Sequence, residues 1–235
     1  MTWRLPIAIP TRGGASVQTT FNELPDELKP FVTLFVGAPS EADCKQILVP
    51  TGIAEKRQFI LDYYKEDFVM VDDDVSFKAP DMKSKVSVGD FYNFQKTFDD
   101  NTDIALLCDS GRFMFHVQPE LSRGTWKFVA HRKSLIDNER YDIVDIFEDA
   151  DFYFQLLNNR KKLRKCKAFL STNRTADYAA TQNYDQIKLR WKKEFSRFLK
   201  VADEESVYAG KKLDFKLKIG WLAAEKPSSN LQEFF

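Results

Sequence analysis

Three consecutive carboxylates, Asp72, Asp73 and Asp74, follow directly on the apolar run Phe68 to Val71. Acids crowded at the end of a buried strand repel one another, and each costs free energy to desolvate unless it is paired. The usual physical resolution is a divalent cation. The only histidines are His116 and His131, and the three cysteines, Cys44, Cys108 and Cys166, are far apart with no Cys-x-x-Cys pair. Hard oxygen ligands therefore favour Mg2+ or Mn2+ over zinc, with Asp72 and Asp74 as the metal-ligand candidates. Such a cation commonly bridges a diphosphate. An acidic surface turn is the plain alternative, and the apolar run before the triplet weighs against it.

Four further groups surround this feature in the sequence. Arg57 follows Thr51-Gly52-Ile53 in the first turns of a helix, one crossover before the aspartates. A guanidinium there can pair with a phosphate or with a carboxylate of the triplet, or it can be a solvated surface arginine. Pro10-Thr11-Arg12-Gly13-Gly14 follows the first apolar run. Its backbone N–H groups can approach a nucleotide, although it is neither a Walker sequence nor a Gly-x-Gly-x-x-Gly loop. Glu148 and Asp149 stand in the first turn of a helix, where the helix dipole alone favours acids and where one of them can also act as a general base. The run from Arg160 to Lys167 holds six cations in eight residues, Arg160, Lys161, Lys162, Arg164, Lys165 and Lys167, and Lys188 and Lys192 follow on the next amphipathic segment. These residues read either as a solvated helix end and face or as a groove for nucleic-acid phosphates. The two histidines read as structural, and no Gly-x-Ser-x-Gly element supports acyl transfer.

These residues need elements to hold them. Residues 5–10, 31–36, 46–49 and 68–71 read as strands. Residues 16–24 and 54–65 read as helices, and Ser40 sits where another helix N-cap belongs. This alternation implies βαβ crossovers and a largely parallel sheet covered on both faces. Ligands of such sheets bind beyond the carboxyl ends of the strands, which places Thr11-Arg12-Gly13, Gly37 and the aspartates on one edge. Further on, 103–108 and 126–130 read as strands, 147–158 and 184–200 as helices, and 213–219 as a strand by its alternation.

The chain has 235 residues, 43% hydrophobic and 30% charged, with a net charge of zero. That composition supports a packed core and excludes a histone-like binder. The charge is uneven, however. Residues 1–155 carry 17 Lys/Arg and 26 Asp/Glu, or −9, whereas residues 156–220 carry 17 and 7, or +10. An acidic front and a basic back fit a cation site beside a surface for a polyanion. No apolar run approaches the roughly 18–20 residues of a membrane span. No leader pattern is visible at Met1, and a cytoplasmic protein is expected.

The order Ile9-Pro10-Thr11-Arg12-Gly13, then Gly52-Ile53-x-x-x-Arg57, then Asp72-Asp73-Asp74, then Glu148-Asp149 resembles the GT-A class of nucleotide-sugar-dependent glycosyltransferases. The match covers about 160 residues. More narrowly, residues 69–77 and 141–157 look like the phage branch called TET/JBP-associated glycosyltransferases. The resemblance implies a GT-A-like, Rossmann-type mixed α/β sheet flanked by helices, with a basic helical and strand part towards the C-terminus. It implies one catalytic domain over 1–220, a nucleotide-sugar half at 1–110, an acceptor half at 111–220, and a tail at 221–235. Asp72 and Asp74 would hold Mn2+ or Mg2+ and, with Asp73, the diphosphate of a nucleotide sugar, a UDP-sugar foremost. Pro10, Thr11, Arg12 and Gly37 would line the base and ribose pocket, Arg57 would stabilise phosphate, and Glu148 or Asp149 would serve the acceptor hydroxyl. The acceptor implied is a hydroxymethylated pyrimidine in phage DNA, which would place the enzyme in the host cytoplasm. Some members add a C-terminal histidine to the metal, but no histidine follows His131 here. Two other readings stand beside this one: a nucleotidyltransferase releasing pyrophosphate, and a non-catalytic nucleic-acid-binding protein working through its basic half.

Overall fold

The computed structural model describes residues 2–13, 18–81, 83–109, 127–141, 148–173, 193–194, 199–208 and 211–217. The strands of its main sheet are β1 (Ile7–Gly13), β2 (Val32–Ala38), β3 (Lys45–Leu48), β4 (Phe68–Val71), β6 (Ile104–Asp109), β7 (Phe128–His131) and β8 (Lys162–Cys166), in the order β3-β2-β1-β4-β7-β6-β8. β5 (Val75–Lys78) and β9 (Leu170–Asn173) form a separate antiparallel pair, as do β10 (Leu199–Tyr208) and β11 (Lys211–Leu217). The described helices are α1 (Thr19–Glu23), α2 (Ile53–Tyr63), α3 (Val88–Asp99) and α4 (Glu148–Asn158). This is the mixed α/β sheet flanked by helices that the sequence implies. All neighbours in the sheet are parallel except at β7, which runs antiparallel to both β4 and β6.

The sheet is covered on both faces, which is why its strands read as near-continuous apolar runs. Alternate residues go to opposite cores. Ala8, Phe68, Met70 and Val129 pack with α2 and α4, in a core with Ile60, Leu61, Phe152 and Leu156. Ile7, Ile9, Val69, Val71, Phe128 and Ala130 pack on the other side against Phe91, Phe94 and Phe98 of α3.

Three local expectations need correction. No helix follows Ser40: its hydroxyl accepts the Ala42 N–H at 3.2 Å, and Gln46 Nε2 donates to its carbonyl at 2.8 Å. These side-chain bonds close residues 40–46 into a tight loop that offers the backbone an alternative to a helical turn. The run after Asn158 does not end a basic helix face. Arg160 adopts a left-handed φ of 57°, with its N–H donating to Leu157 O at 3.0 Å and that of Lys161 to Leu156 O at 2.9 Å. This closes α4 and turns the cations into strand β8. Most of the helix expected over 184–200, with Lys188 and Lys192, lies outside the described residues, and Lys193 and Glu194 within it are helical. Its last two positions belong to β10, paired with β11. The strand expected over 213–219 is present as β11, whereas the tail 221–235 lies outside the described residues.

α3 is an element that the sequence reading passed over. Phe91, Phe94 and Phe98 form its buried stripe, and the Asp90 carboxylate accepts the Ser87 N–H at 2.8 Å at its start. Phe94 is fully buried, edge-on to Phe128 at 5.1 Å and 5.5 Å from Phe169. Phe94→Ala is expected to lower stability by about 3–5 kcal/mol, because a cavity remains between rings that cannot collapse fully. The urea midpoint measures this, and Phe94→Leu should lose less.

Candidate functional site

The carboxyl ends of β1, β2 and β4 share one edge of the sheet, and the aspartate turn 72–74 leaves β4 there. Helix α1 clamps this turn. Thr20 N–H donates to Asp73 O at 3.1 Å, the Thr20 hydroxyl donates to Asp72 O at 2.5 Å, and it accepts Val75 N–H at 2.9 Å. Glu23 takes the Ser76 hydroxyl at 3.1 Å and the Phe77 N–H at 3.2 Å. The backbone of three crowded acids is thus fixed by one short helix.

The side chains form a line of alternating charge. Arg57 Nη2 lies 2.6 Å from Asp72 Oδ1 and Arg57 Nη1 lies 3.2 Å from Glu148 Oε1, while Lys127 Nζ lies 2.5 Å from Asp72 Oδ2. Lys127 immediately precedes β7. Because β7 is antiparallel, its beginning lies on the same edge as the end of β4, and Asp72 N–H donates to Lys127 O at 3.1 Å. Burial opposes the Asp72 charge, yet Lys127 and Arg57 hold its pKa below the ordinary carboxylate value. Burial likewise opposes charge on Arg57, and Asp72 and Glu148 outweigh it. Glu148 goes the other way, since burial raises its pKa in spite of Arg57.

The remaining aspartates are less well compensated. Burial, then repulsion from Asp72, pushes Asp74 up to about 6. Burial raises Asp73 too, with a Thr11 hydroxyl hydrogen bond pulling the other way. Among the described residues no group of three or more His, Cys, Asp or Glu side chains forms a ready-made metal cage. A cation held by one or two carboxylates and substrate phosphates needs no such cage. The poorly compensated charge at Asp74, beside Asp72, suits a hard divalent cation, so the donor set present fits one. Asp72 is the qualified member, because both of its oxygens are already engaged by cations.

The residues expected to line the nucleotide pocket are brought together. Pro10 and Thr11 are buried at the end of β1, Arg12 is exposed, and Gly37 is half-buried on β2. The Thr11 hydroxyl accepts Gly13 N–H and Gln18 Nε2, both at 3.2 Å. Two glycines permit the close approach of these strand ends. A Cβ on Gly13, which has φ of 74°, would stand 1.8 Å from Ala38 O, and one on Gly37 would stand 2.8 Å from Arg12 O. Lys56, which the sequence reading passed over, is buried and donates from Nζ to Thr11 O at 2.6 Å.

Behind the charges lies a small cavity lined by Arg57, Met70, Asp72, Val129, His131, Tyr141, Asp149 and Phe152 among others. His131 is structural, as expected. It is fully buried and stacked on Phe68 at 4.7 Å, with Nδ1 at 3.2 Å from Val129 O and Nε2 at 3.0 Å from the Tyr141 hydroxyl. Burial drives its pKa down to about 3, so the ring is neutral. His116 lies outside the described residues.

The basic run is placed elsewhere. Lys161 pairs with Asp137 and Lys162 with Asp103, each at 2.7 Å, and Arg164 Nη1 donates to Asn101 at 2.5 Å. Lys162 pairs in register with Ile104 at the start of β6, on the sheet edge opposite Asp72. Lys165 is largely buried beside Cys108 and Asp109, and burial lowers its pKa to about 8. Lys127 and Thr20, which complete the site, carry no local sequence signal: one reaches Asp72 across an antiparallel strand, and the other from a five-residue helix.

No family model matches the chain, and neither does any curated protein. Among solved structures, it is similar to glucosyl-3-phosphoglycerate synthase from Mycobacterium tuberculosis in complex with Mn2+, UDP and glucosyl-3-phosphoglycerate. That likeness has 10% identity and a TM-score of 0.49, over 90% of this chain and 86% of that one. It is also similar to CMP:2-keto-3-deoxy-manno-octonic acid synthetase complexed with CTP, at 9% identity and a TM-score of 0.43, over 83% of this chain and 99% of that one. No described helix is long and apolar enough to cross a membrane.

The raised Asp74 pKa has a thermodynamic consequence. The folded chain keeps a proton that the unfolded chain releases near pH 4, so stability falls as pH rises from about 4 to about 6 and stays lower above that. Asp74→Asn removes the penalty. The metal-free variant should show a higher urea midpoint than the native protein at pH 8 and little difference at pH 4. Added Mn2+ should raise the midpoint of the native protein more than that of the variant.

Proposed function

We propose that this chain is a metal-dependent glycosyltransferase that moves a sugar from a nucleotide-sugar donor, a UDP-sugar foremost, to a hydroxyl acceptor. The observation that carries this reading is the alternating charge line Glu148–Arg57–Asp72–Lys127 at the carboxyl edge of β4, with Asp73 and Asp74 beside it. Carboxylates suited to a divalent cation and two held cations meet at the place where open α/β sheets bind ligands. A departing nucleoside diphosphate needs that combination, because negative charge develops on it as the sugar leaves.

When bound, Mn2+ or Mg2+ would neutralise part of the diphosphate charge, with Asp74 and Asp72 as its protein ligands. Arg57, anchored by Glu148 and lying over the Tyr141 ring at 5.9 Å, presents a fixed guanidinium towards the same charge. The ends of β1 and β2, at Pro10, Thr11, Arg12 and Gly37, hold the base and ribose. Of the two acids of α4, Glu148 is committed to Arg57, whereas Asp149 lines the cavity beside Asp72 and Arg57. From that place in the cavity wall Asp149 orients or deprotonates the acceptor hydroxyl, and Glu148 holds Arg57 in place.

For the acceptor, the resemblance carried by residues 69–77 and 141–157 supports a hydroxymethylated pyrimidine in phage DNA. Such a base would have to leave the duplex stack to reach the site. Arg160, Lys161, Lys162 and Arg164 stand at the far edge of the sheet, so they would not guide that base into the pocket.

The test is to incubate the protein with Mn2+ and a panel of nucleotide sugars, with and without hydroxymethylated DNA, and to assay free nucleoside diphosphate. Release with one donor class is the expected result. Pyrophosphate release in a parallel incubation with nucleoside triphosphates and a sugar phosphate would instead indicate nucleotidyl transfer, and no turnover or binding with any donor would overturn the reading. Asp74→Asn should lower turnover by about 10²–10³-fold with the fold intact. Asp72→Asn should lower it as much and also destabilise the chain, by about 3–5 kcal/mol, since it leaves Lys127 without its ion-pair carboxylate and Arg57 with Glu148 alone.

A further inference from the structure

We propose that Lys127 is the resident counter-cation of the aspartate turn: it holds Asp72, yields it to an arriving divalent cation, and then binds the phosphates of the nucleotide. This rests on the reading above, that the turn takes a divalent cation together with a nucleoside diphosphate.

The two cations on Asp72 are not equivalent. Arg57 is held twice, by Asp72 and by Glu148, its side chain is 7% exposed, and it lies over Tyr141. Lys127 has one ion-pair partner among the described residues, and its side chain is 23% exposed. Its backbone is tied to the turn, because its carbonyl accepts the Asp72 N–H. The ammonium can therefore swing on its four-carbon stem without leaving the neighbourhood of Asp72.

A divalent cation bound through Asp72 Oδ2 would stand within a few ångströms of that ammonium, and like charges at that distance repel strongly in a partly buried site. Arg57 cannot yield without uncovering Glu148, so Lys127 is the one that moves. Once displaced it is a flexible cation at the edge of a diphosphate site, beside Asp149 and Asp74, whose fields it already shares. The exchange gives order to binding. Asp72 is neutralised internally by Arg57 and Lys127, so a metal by itself would be taken up weakly, and metal with nucleotide would be taken up together because the nucleotide gives the released ammonium a new partner.

The experiment uses the full chain. Free Mn2+ is titrated by electron paramagnetic resonance without nucleotide, and UDP binding is measured by calorimetry at saturating Mn2+, for the native protein and Lys127→Met. The variant is expected to bind Mn2+ alone about tenfold more tightly and UDP about tenfold more weakly, each corresponding to roughly one ion pair. Mn2+ affinity equal to or below that of the native protein, or unchanged UDP affinity, would overturn the proposal. Acetylation of Lys127 in the native protein, followed by mass spectrometry, gives a reading that needs no variant. Mn2+ alone should increase labelling and UDP added with Mn2+ should reduce it, whereas labelling indifferent to both overturns the exchange. If neither protein binds Mn2+, the metal reading fails together with this one. If both bind it with equal affinity, only the role of Lys127 falls.

Discussion

The carboxylate of Asp72 is the point on which the site depends. It is nearly buried, and burial of a lone carboxylate would drive it to the neutral form. It stays charged because Arg57 and Lys127 each hold one of its oxygens. Four separate pieces of chain must therefore be in register: the end of β4 for Asp72, the first turns of α2 for Arg57, the start of β7 for Lys127, and the first turn of α4 for Glu148. A buried charge network adds little to stability, but an arrangement that misplaces one member leaves an unpaired charge inside the protein. The network thus selects one packing of α2 and α4 on this face of the sheet.

The direction of β7 follows from the same requirement. In a sheet whose other strands are parallel, the beginning of a strand lies on the edge opposite the ligand. β7 runs antiparallel between β4 and β6, so its beginning meets the end of β4, and a lysine there can reach Asp72. The opposite face carries no such demand. It is filled by Phe77, Phe91, Phe94, Phe128 and Phe169, with ring centroids 4.6–5.7 Å apart where they touch. One face therefore supplies rigidity through close-packed rings, and the other supplies polar groups held at defined distances. α1 connects the two, since Phe21 packs into the aromatic core while Thr20 and Glu23 fix the backbone of the aspartate turn.

Most elements could be read from the chain because each is a local pattern. Apolar runs ending in Gly13, Gly37 and Asp72 mark β1, β2 and β4, and the spacing of Ile60, Leu61 and Tyr64 marks α2. The stripe Phe91, Phe94, Phe98 after Ser87 and Asp90 is just as local a signal for α3, and it was there to be read. Ser40 misled because a cap residue followed by Glu41 also suits a tight loop, and Gln46 decided between the two through bonds six residues away. The cations from Arg160 to Lys165 looked like one surface because they are contiguous. A left-handed residue and a strand then dispersed them among Asp137, Asp103, Asn101 and the buried Asp109.

By itself, the sequence determined the fold class, the edge of the sheet on which chemistry would lie, and the side chains that would gather there from β1, β2, β4, α2 and α4. Those follow from periodicity, from glycine at strand ends and from the cost of crowding three acids after an apolar strand. What only the tertiary structure decided is how the charges are paired: that Asp72 is shared by Arg57 and Lys127, that Glu148 serves Arg57, that Asp149 faces the cavity, and that Thr20 ties down the turn. Pairing is a matter of a few ångströms between residues 15 to 91 positions apart. Coulomb and hydrogen-bond energies depend on those distances and on local burial, and neither is encoded in the spacing of residues along the chain.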